Sequence, residues 1–389
     1  MKPAKRLETG PPSPRVCVQN LAPYVPGRPI QEVEASFGID GAVKLASNEN
    51  PLGPSPRALE AARLALESVH RYPDSAGTDL RNALSARFGV AQERILLGAG
   101  GAELIDLVVR SFVEPGEEVV VPEGIFRMFP VAIGRSGGTV VTVPTRPDLK
   151  ADLFAMKQRI GPQTKLVAIA NPNNPTGSYV SRRELEEYFD GLPSHVLTIL
   201  DEAYFEFADG LVADYPNGLE FLVAGHTVIV LRTFSKIAGL AGMRIGYGFA
   251  PEEIARTINK VREPFNTSSI AQAAAIGALE DEEHRQAVRE LVRNERTFLV
   301  DELSSRGLPP RPSIANFFLV ETPVPFQPLE PEFARRGVIL RPMGGWGFPN
   351  AFRLSVGTRI ENLKFLAALD ELRELGLLLP VAADVPAAS

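Results

Sequence analysis

The chain has 389 residues, of which 44% are hydrophobic, so it can bury a substantial core and has the length of about two domains. Its 41 basic and 47 acidic side chains give a formal net charge of −6, which argues against a nucleic-acid-binding surface. One cysteine excludes an intrachain disulfide, four histidines without ligand spacing make a metal site improbable, and no apolar run is long enough to span a membrane.

The first predicted feature is a basic, proline-rich segment without the apolar stretch of a secretory signal. We therefore expect residues 1–19 to form a disordered tail and the protein to be cytoplasmic. Residues 55–69 carry apolar side chains at helical spacing behind a Ser-Pro start, which predicts a helix. Short apolar runs follow and predict strands at residues 94–97, 118–121, 139–143, 165–170, 196–200, 227–231 and 244–250.

Several of these runs are continuous and β-branched, as expected for strands that crossover helices bury on both faces. They predict an α/β fold in which a large domain contains a mostly parallel, seven-stranded sheet. A smaller α+β domain is predicted from two helical patterns over 267–306, strands near 314–320, 338–340 and 351–355, and a helix over 359–376. The expected divisions are a tail (1–19), an N-terminal arm (20–59), the large domain (60–265), the small domain (266–378) and a loose tail (379–389).

The segment over residues 227–250 carries the strongest candidate for chemistry. Lys236 follows a predicted buried strand, with hydroxyl groups at Thr233 and Ser235 and a guanidinium group at Arg244. Most lysines are solvated surface groups. Apolar flanks predict partial desolvation of Lys236, which lowers a lysine's pKa and makes its amine a nucleophile toward an aldehyde. The hydroxyl groups and Arg244 are suitable donors to a phosphate group.

Ser235, Lys236 and Arg244 together resemble the lysine motif of fold-type I pyridoxal-phosphate (PLP) enzymes, in which the lysine carries PLP. Asp201 directly follows an apolar strand, at the carboxyl end where α/β sheets place ligands. Such an enzyme needs a carboxylate at the pyridine nitrogen, because a protonated ring is the better electron sink. A helix N-cap is the other common role for an aspartate at this position. Tyr204 could donate a hydrogen bond to the phenolate oxygen of PLP.

Two further segments resemble the cofactor site of aminotransferases. The turn NPNNPTG contains Asn174 and is similar to the turn whose asparagine binds the phenolate oxygen of PLP, although its composition would predict a tight turn in any protein. Phe126 matches the aromatic ring that stacks on the pyridine ring, and a core phenylalanine is the alternative.

The start of a predicted helix offers a second group of donors to phosphate. The sequence Gly-Ala-Gly at 98–100 follows a strand and opens a helix, whose N-terminal N–H groups can bind an anion. A dinucleotide fingerprint is excluded, because Glu103 occupies the position of its third glycine. In the resemblance to PLP enzymes, Gly101, Ala102 and Glu103 form the helix start beside the cofactor phosphate.

Two arginines of the predicted small domain are candidates for binding the substrate. Arg353 matches the arginine that holds the substrate carboxylate in aminotransferases, and Arg341 lies near a neighbouring predicted strand. Arginines near strand ends are usually surface groups, but a planar guanidinium group is well suited to bind carboxylate or phosphate through two donors.

From about residue 20 to 376 the chain resembles the histidinol-phosphate aminotransferase family. The resemblance lies in the segments LAPYVPGRP, KLASNENPLGPSP, HRYPD, NPNNPTG, LRTFSKIAGLAGMRIGYG and RPMGGWG followed by VGT. It implies a transaminase that passes an amino group between L-histidinol phosphate and 2-oxoglutarate. Lys236, Asp201 and Tyr204 would be its catalytic residues, and Lys236 would move a proton after substrate displaces it from PLP.

The same resemblance implies a homodimer whose active sites lie at the subunit interface. Tyr72 would reach the PLP phosphate of the partner subunit. Tyr24, residues 48–50 and Asn174 would line the substrate side, together with Arg341 and Arg353.

Four alternatives to this family can be considered, and the sequence argues against the last two. Within the same fold the chain could be an aromatic amino-acid aminotransferase or a decarboxylase of a phosphorylated amino acid. A PLP-fold transcription regulator would need a basic helical domain ahead of residue 20, and none is present. A non-catalytic homologue would be expected to lose Lys236, Asp201 or Arg353, and all three are present.

Overall fold

The computed structural model describes residues 13–19, 21 and 27–378. In chain order, the described strands are β1 (Val43–Lys44), β2 (Ile95–Gly98), β3 (Glu118–Pro122), β4 (Thr139–Val143), β5 (Thr164–Ala170), β6 (Leu197–Asp201), β7 (Val228–Thr233), β8 (Gly246–Phe249), β9 (Phe317–Glu321), β10 (Val338–Ile339), β11 (Arg341–Pro342) and β12 (Ala351–Ser355).

The described α-helices are α1 (Val16–Gln19), α2 (Ile30–Phe37), α3 (Pro56–Leu66), α4 (Thr78–Phe88), α5 (Gly101–Phe112), α6 (Met128–Ser136), α7 (Leu153–Gln158), α8 (Arg182–Phe189), α9 (Phe205–Ala208), α10 (Gly218–Val223), α11 (Glu252–Ile258), α12 (Ser269–Glu280), α13 (Glu282–Ser305), α14 (Glu330–Arg335) and α15 (Arg359–Glu374). Short 3₁₀ helices cover Gln92–Arg94, Ala241–Met243 and Gly344–Trp346. None of these helices is long and apolar enough to cross a membrane.

The central sheet has seven strands in the order β2-β8-β7-β6-β5-β3-β4. Its neighbouring strands are parallel except at β8, which is antiparallel to both β2 and β7. This confirms the predicted α/β fold with a mostly parallel seven-stranded sheet. The last strand begins at Gly246 rather than at Arg244, because Arg244 has a left-handed backbone conformation (φ 55°) that a strand does not allow.

Side chains of the central strands alternate between two hydrophobic cores, one on each face of the sheet. Val119 and Val121 of β3 pack in the core that contains Leu104 of α5, whereas Val120 packs in the core that contains Leu80 of α4. Every residue of β6 and β7 is buried. The continuous apolar runs in the sequence follow from this burial on both faces.

Two smaller sheets lie outside the central one, and all of their strands except β1 come from the C-terminal part of the chain. The three-stranded sheet has the antiparallel order β11-β12-β9, and β1 pairs in parallel with β10. The last helix, α15, starts with a capping box in which Thr358 and Glu361 bind each other's backbone N–H groups. This part is the predicted α+β region, while the predicted boundaries between domains stay predictions.

The structure describes residues 13–19 of the predicted N-terminal tail and none of the predicted C-terminal tail. Residues 1–12 and 379–389, and the predicted substrate residue Tyr24, lie outside the described residues. Within the segment predicted to be a disordered tail, α1 forms one turn of helix. It is tied to the end of α6, because Cys17 Sγ donates a hydrogen bond to the carbonyl oxygen of Arg135 at 3.6 Å.

Candidate active site

A cavity of about 240 Å³ lies at the carboxyl ends of the parallel strands, where such sheets bind ligands. Asp201 is the last residue of β6 and Thr233 the last residue of β7. Most of the predicted site residues line this cavity, namely Gly101, Ala102, Phe126, Asn174, Asp201, Tyr204, Thr233, Ser235, Lys236, Arg244, Arg341 and Arg353. The fold therefore brings together side chains from the central sheet and from the C-terminal part of the chain.

The amine of Lys236 lies inside this cavity. Nζ donates a hydrogen bond to the carbonyl oxygen of Ser47 at 3.0 Å and lies 5.8 Å from the centre of the Tyr204 ring. Burial, reinforced by the positive charge of Arg353, lowers the pKa of Lys236 from 10.5 to about 7. A large fraction of the amine is therefore neutral, and so nucleophilic, near neutral pH.

The carboxylate of Asp201 is buried on the same side of the sheet. Oδ1 accepts a hydrogen bond from the backbone N–H of Ala203 at 3.1 Å. Burial raises the pKa of Asp201 to about 6, against the lowering effect of that hydrogen bond. Asp201 is not a helix N-cap, since α9 starts after Tyr204 without a side-chain cap. An ionised Asp201 would be stabilised by a cationic group placed in the cavity.

Tyr204 is held in the cavity wall by a segment that precedes the central sheet. Its hydroxyl group accepts a hydrogen bond from Asn48 Nδ2 at 2.9 Å, and its ring packs edge-on against Phe317 at 5.0 Å. Asn48 is itself fixed, because its backbone N–H donates to Ser355 Oγ at 2.8 Å and its carbonyl oxygen accepts from Asn316 Nδ2 at 3.2 Å. Asn48 therefore positions Tyr204.

The neighbours of Asn48 have separate contacts. Glu49 forms an ion pair with Lys44 at 2.9 Å, and Asn50 Nδ2 donates to the carbonyl oxygen of Ile237 at 2.7 Å, next to Lys236. The contacts of Ser47 and Ser355 were not anticipated from the sequence. A backbone carbonyl such as that of Ser47 leaves no mark in a sequence, and the only indication was the family resemblance of the surrounding segment.

The hydroxyl groups after β7 form a local network beside Lys236. Thr233 Oγ1 donates a hydrogen bond to Ser235 Oγ at 3.0 Å and accepts one from the backbone N–H of Ser235 at 3.1 Å. Both side chains are buried and both line the cavity. The Ser235 hydroxyl hydrogen can therefore be directed toward a bound anion.

Arg244 and the start of α5 face the same region. Arg244 donates to the carbonyl oxygens of Ala241 at 2.9 Å and Ala99 at 3.2 Å. Gly101 has open space where a Cβ would stand. At Gly246 a Cβ would lie 3.0 Å from the backbone of Gly101, so a glycine there allows β8 to approach the helix start. The N–H groups at this start are available to bind an anion.

The two candidate substrate arginines lie side by side on neighbouring strands. Arg353 is buried, donates from Nη2 to the carbonyl oxygen of Ala46 at 2.6 Å, and donates from Nη1 to Asn174 Oδ1. Arg341 is the ladder partner of Arg353 in the antiparallel pair, so their side chains extend on the same face of the sheet. Neither arginine is a solvated surface group, and together they make one wall of the cavity positive.

Four of the described candidates do not line the cavity, namely Glu49, Asn50, Tyr72 and Glu103. The carboxylate of Glu103 accepts hydrogen bonds from the N–H of Ala99 and the side chain of Asn266, both at 2.6 Å, so it holds the loop before α5. Tyr72 is 83% exposed and stacks on Phe265 with ring centres 4.7 Å apart. The role predicted for Tyr72 lies across a subunit interface and stays a prediction.

Comparison with known proteins gives a consistent result. Residues 40–369 match the family described as aminotransferase class I and II. The chain is 46% identical over 353 residues to histidinol-phosphate aminotransferase from Anaeromyxobacter sp. (strain Fw109-5), which covers 90% of this chain and 96% of that protein. It is 41% identical over 364 residues to histidinol-phosphate aminotransferase 2 from Carboxydothermus hydrogenoformans, covering 93% of this chain and 99% of that protein.

A solved structure agrees with these sequences. The crystal structure of histidinol-phosphate aminotransferase from Sinorhizobium meliloti in complex with pyridoxal-5'-phosphate superposes with a TM-score of 0.86 at 32% identity. The similarity covers 94% of this chain and 99% of that one.

Proposed function

Because the chain belongs to the aminotransferase class I and II family and is a transaminase, we propose that it uses PLP to move an amino group between L-histidinol phosphate and 2-oxoglutarate. The products would be imidazole acetol phosphate and L-glutamate, as in histidine biosynthesis. The observation that carries the proposal is the enclosure of Lys236, Asp201 and Arg353 in one cavity, with the pKa of the amine lowered and that of the carboxyl raised.

The side chains around the cavity fit PLP, which when bound supplies an aldehyde for the amino group and a ring that withdraws electrons from the reacting carbon. Lys236 offers a neutral amine for covalent attachment. Asp201 offers a buried carboxylate that a protonated ring nitrogen would stabilise. Tyr204 and Asn174 would bind the phenolate oxygen, and Phe126 would cover the ring.

The phosphate group of the cofactor would be held at the ends of β2 and β7. Thr233, Ser235 and Arg244 supply hydroxyl and guanidinium donors, and Gly101 and Ala102 supply backbone N–H groups at the start of α5. Glu103 would act indirectly, by holding the loop through which α5 begins.

Lys236 would move the proton of the reaction between the substrate Cα and the C4′ carbon of the cofactor. An amine with a pKa of about 7 both accepts and releases a proton readily near neutral pH, which is the requirement for a group that acts as base and acid in turn.

One cavity must bind two differently charged substrates in alternate half-reactions. Arg353 would bind the α-carboxylate of glutamate and, in the other half-reaction, the phosphate of histidinol phosphate, because a guanidinium fork fits the oxygens of either anion. Arg341 and Tyr24 would add contacts that the phosphate group, with its greater charge, uses more fully.

Specificity constants would test this assignment. Arg353→Ala should lower kcat/KM for both histidinol phosphate and glutamate by about one to two orders of magnitude, as expected for the loss of a charge-assisted contact. Arg341→Ala should impair histidinol phosphate more than phenylalanine. A wild-type preference for phenylalanine, with equal effects of Arg341→Ala on all donors, would instead support an aromatic amino-acid aminotransferase.

We further propose that the protein is a cytoplasmic homodimer with shared active sites. The exposed Tyr72, stacked on Phe265, is available to a second subunit. Mixing Lys236→Ala with Tyr72→Ala subunits should restore activity, because each hybrid dimer has one site with both changes and one intact site. Hybrid dimers without recovered activity would contradict the role of Tyr72.

A further inference from the structure

Trp346, the only tryptophan of the chain, connects the cavity to an arginine that does not line it. The guanidinium groups of Arg127 and Arg341 each lie 5.3 Å from the centre of its ring. Arg341 lines the cavity, and Trp346 is only 9% exposed. Two like charges are therefore held close to one buried ring, beside the wall that also carries Arg353.

Arg127 itself has weak contacts with polar groups. Its hydrogen bond is from Nη1 to the carbonyl oxygen of Gly345 at 3.5 Å, the limit for such a bond. No acidic side chain among the described residues forms an ion pair with it. Stacking on an aromatic ring leaves the N–H groups of an arginine free to bind an anion with two donors.

The backbone around Arg127 places its side chain at the site. Arg127 directly follows Phe126, which lines the cavity. A Cβ at Gly345 would lie 2.8 Å from Arg127 Nη1, and a Cβ at Gly124 would lie 3.5 Å from the Phe348 ring. The loop before α6 therefore packs closely on the loop that carries Trp346, and this packing limits where the Arg127 side chain can lie.

The charge of the cavity wall favours a substrate with more than one negative charge. Of the cationic residues that line the cavity, Lys236 and Arg244 are assigned to the cofactor, which leaves Arg341 and Arg353 for the substrate, and Asp201 is the acidic residue of this lining. We propose that Arg127 is a specificity residue, which adds to Arg341 and Arg353 a further guanidinium group for the phosphate of the amino donor, with the Trp346 ring in contact with both Arg127 and Arg341. This inference rests on the proposed function for the identity of that donor.

The proposal separates phosphorylated from unphosphorylated donors. A phosphate dianion can accept hydrogen bonds from two guanidinium groups at once, whereas phenylalanine presents a singly charged carboxylate at that end and L-histidinol presents no anion there. Arg127→Gln should therefore raise the KM for histidinol phosphate about tenfold, with kcat and the values for phenylalanine and L-histidinol within about twofold. Arg135→Gln, on the neighbouring helix α6, is the matched control and should change none of these values.

Trp346 provides a second measurement that does not depend on turnover. In the wild-type holoenzyme, titration with inorganic phosphate should change the tryptophan fluorescence. Arg127→Gln should raise the dissociation constant of phosphate in this titration about tenfold, and Arg135→Gln should leave it unchanged. An equal loss for phosphorylated and unphosphorylated donors, or an unchanged phosphate response in Arg127→Gln, would overturn the proposal. A wild type that does not use histidinol phosphate but retains an Arg127-dependent phosphate response would refute the proposed function while supporting the anion site.

Discussion

Two buried pairs of oppositely charged residues lie near the ends of β6 and β7. Asp201 and Lys236 form one pair and Glu202 and Arg232 the other, and only the second forms an ion pair. Asp201 and Lys236 line the cavity. The next residue, Glu202, is fully buried elsewhere and accepts hydrogen bonds at Oε2 from Arg232 Nε at 3.0 Å and Nη2 at 2.7 Å. Consecutive residues of a strand point to opposite faces, which explains how neighbours in sequence reach different environments.

Both members of the Glu202–Arg232 pair have further partners. Glu202 Oε1 accepts from the N–H of Gly218 at 2.7 Å, Arg232 Nη2 donates to Asn217 Oδ1 at 2.8 Å, and the guanidinium group lies 3.5 Å from the centre of the Phe205 ring. Asp201 and Lys236, both within the described part of the chain, form no ion pair with each other. Buried charges that pair with each other support the fold, whereas those held apart remain available for chemistry.

The largest effect is expected on turnover, when Lys236 in the cavity is replaced. Lys236→Ala should lower turnover by at least about 10²–10⁴-fold, the contribution of a positioned proton-transfer group, and should abolish covalent attachment of the cofactor. Lys260→Ala, at an exposed position, should change neither property. Borohydride reduction followed by peptide mapping locates the attachment, and a reduced pyridoxyl adduct on another lysine would refute this assignment.

The next largest effect is expected on stability, when the Glu202–Arg232 ion pair is broken. Arg232→Met should lower the free energy of unfolding by about 3–5 kcal/mol, because it leaves the Glu202 carboxylate buried without its cation. The double variant Glu202→Gln/Arg232→Met should recover most of this loss. Asp201→Asn should retain PLP and lose most activity without destabilising the apoenzyme. Denaturant unfolding measures all three variants, and equal destabilisation by Arg232→Met and Asp201→Asn would remove the distinction between the two pairs.

Much of the fold and of the cavity could be predicted from the sequence. The seven strands of the central sheet appear as local apolar runs, because burial on both faces determines their composition. Lys236, Asp201 and Asn174 stand in recognisable segments just after such runs, so the carboxyl edge of the sheet was expected to bring them together.

What could not be predicted depends on contacts between distant segments. The hydrogen bond from Lys236 to Ser47 joins residues 189 positions apart and uses a carbonyl group that every residue has. The approach of Arg127 to Trp346 requires two loops to pack against each other. One feature of the sequence did point to the Glu202–Arg232 pair. Glu202 follows Asp201 and Arg232 precedes Thr233, and consecutive residues of a strand point to opposite faces of the sheet. If Asp201 and Thr233 face the cavity, Glu202 and Arg232 are therefore expected on the other face.

The shifted pKa values of Asp201 and Lys236 should make stability depend on pH in opposite directions. Between pH 3.8 and about 6 the native Asp201 holds a proton that the unfolded chain has released, so the free energy of unfolding falls as pH rises. The size of this loss is roughly 3 kcal/mol. Between about pH 7 and 10.5 the unfolded Lys236 holds a proton that the native residue lacks, so stability rises with pH.

Thermal unfolding of the apoenzyme against pH tests both signs. Asp201→Asn should reduce the fall at acidic pH, to which the buried Glu202 and Glu206 also contribute because burial raises the pKa of each. Lys236→Met should remove the rise at alkaline pH. Wild-type and variant curves that stay parallel in both ranges would show that folding shifts the pKa of neither Asp201 nor Lys236.

The smallest effects should separate two asparagines that each accept a hydrogen bond from an arginine, Asn217 from Arg232 and Asn174 from Arg353. Asn217 also caps α10. Asn217→Ala should therefore cost about 1–2 kcal/mol of stability and leave kcat/KM unchanged, while Asn217→Asp, which keeps the acceptor, should restore most of the stability.

Asn174→Ala should have the opposite pattern. Arg353 keeps its bond to the Ala46 carbonyl oxygen and can bind water in the cavity, so little stability is lost. The orientation of Arg353 and the predicted contact with the cofactor are both impaired, which should lower kcat/KM by about tenfold. Unfolding and steady-state kinetics are measured on both alanine variants. If Asn217→Ala affects catalysis and Asn174→Ala affects only stability, the comparison fails. The Glu202–Arg232 pair would then not be limited to supporting the fold, nor the cavity residues to catalysis.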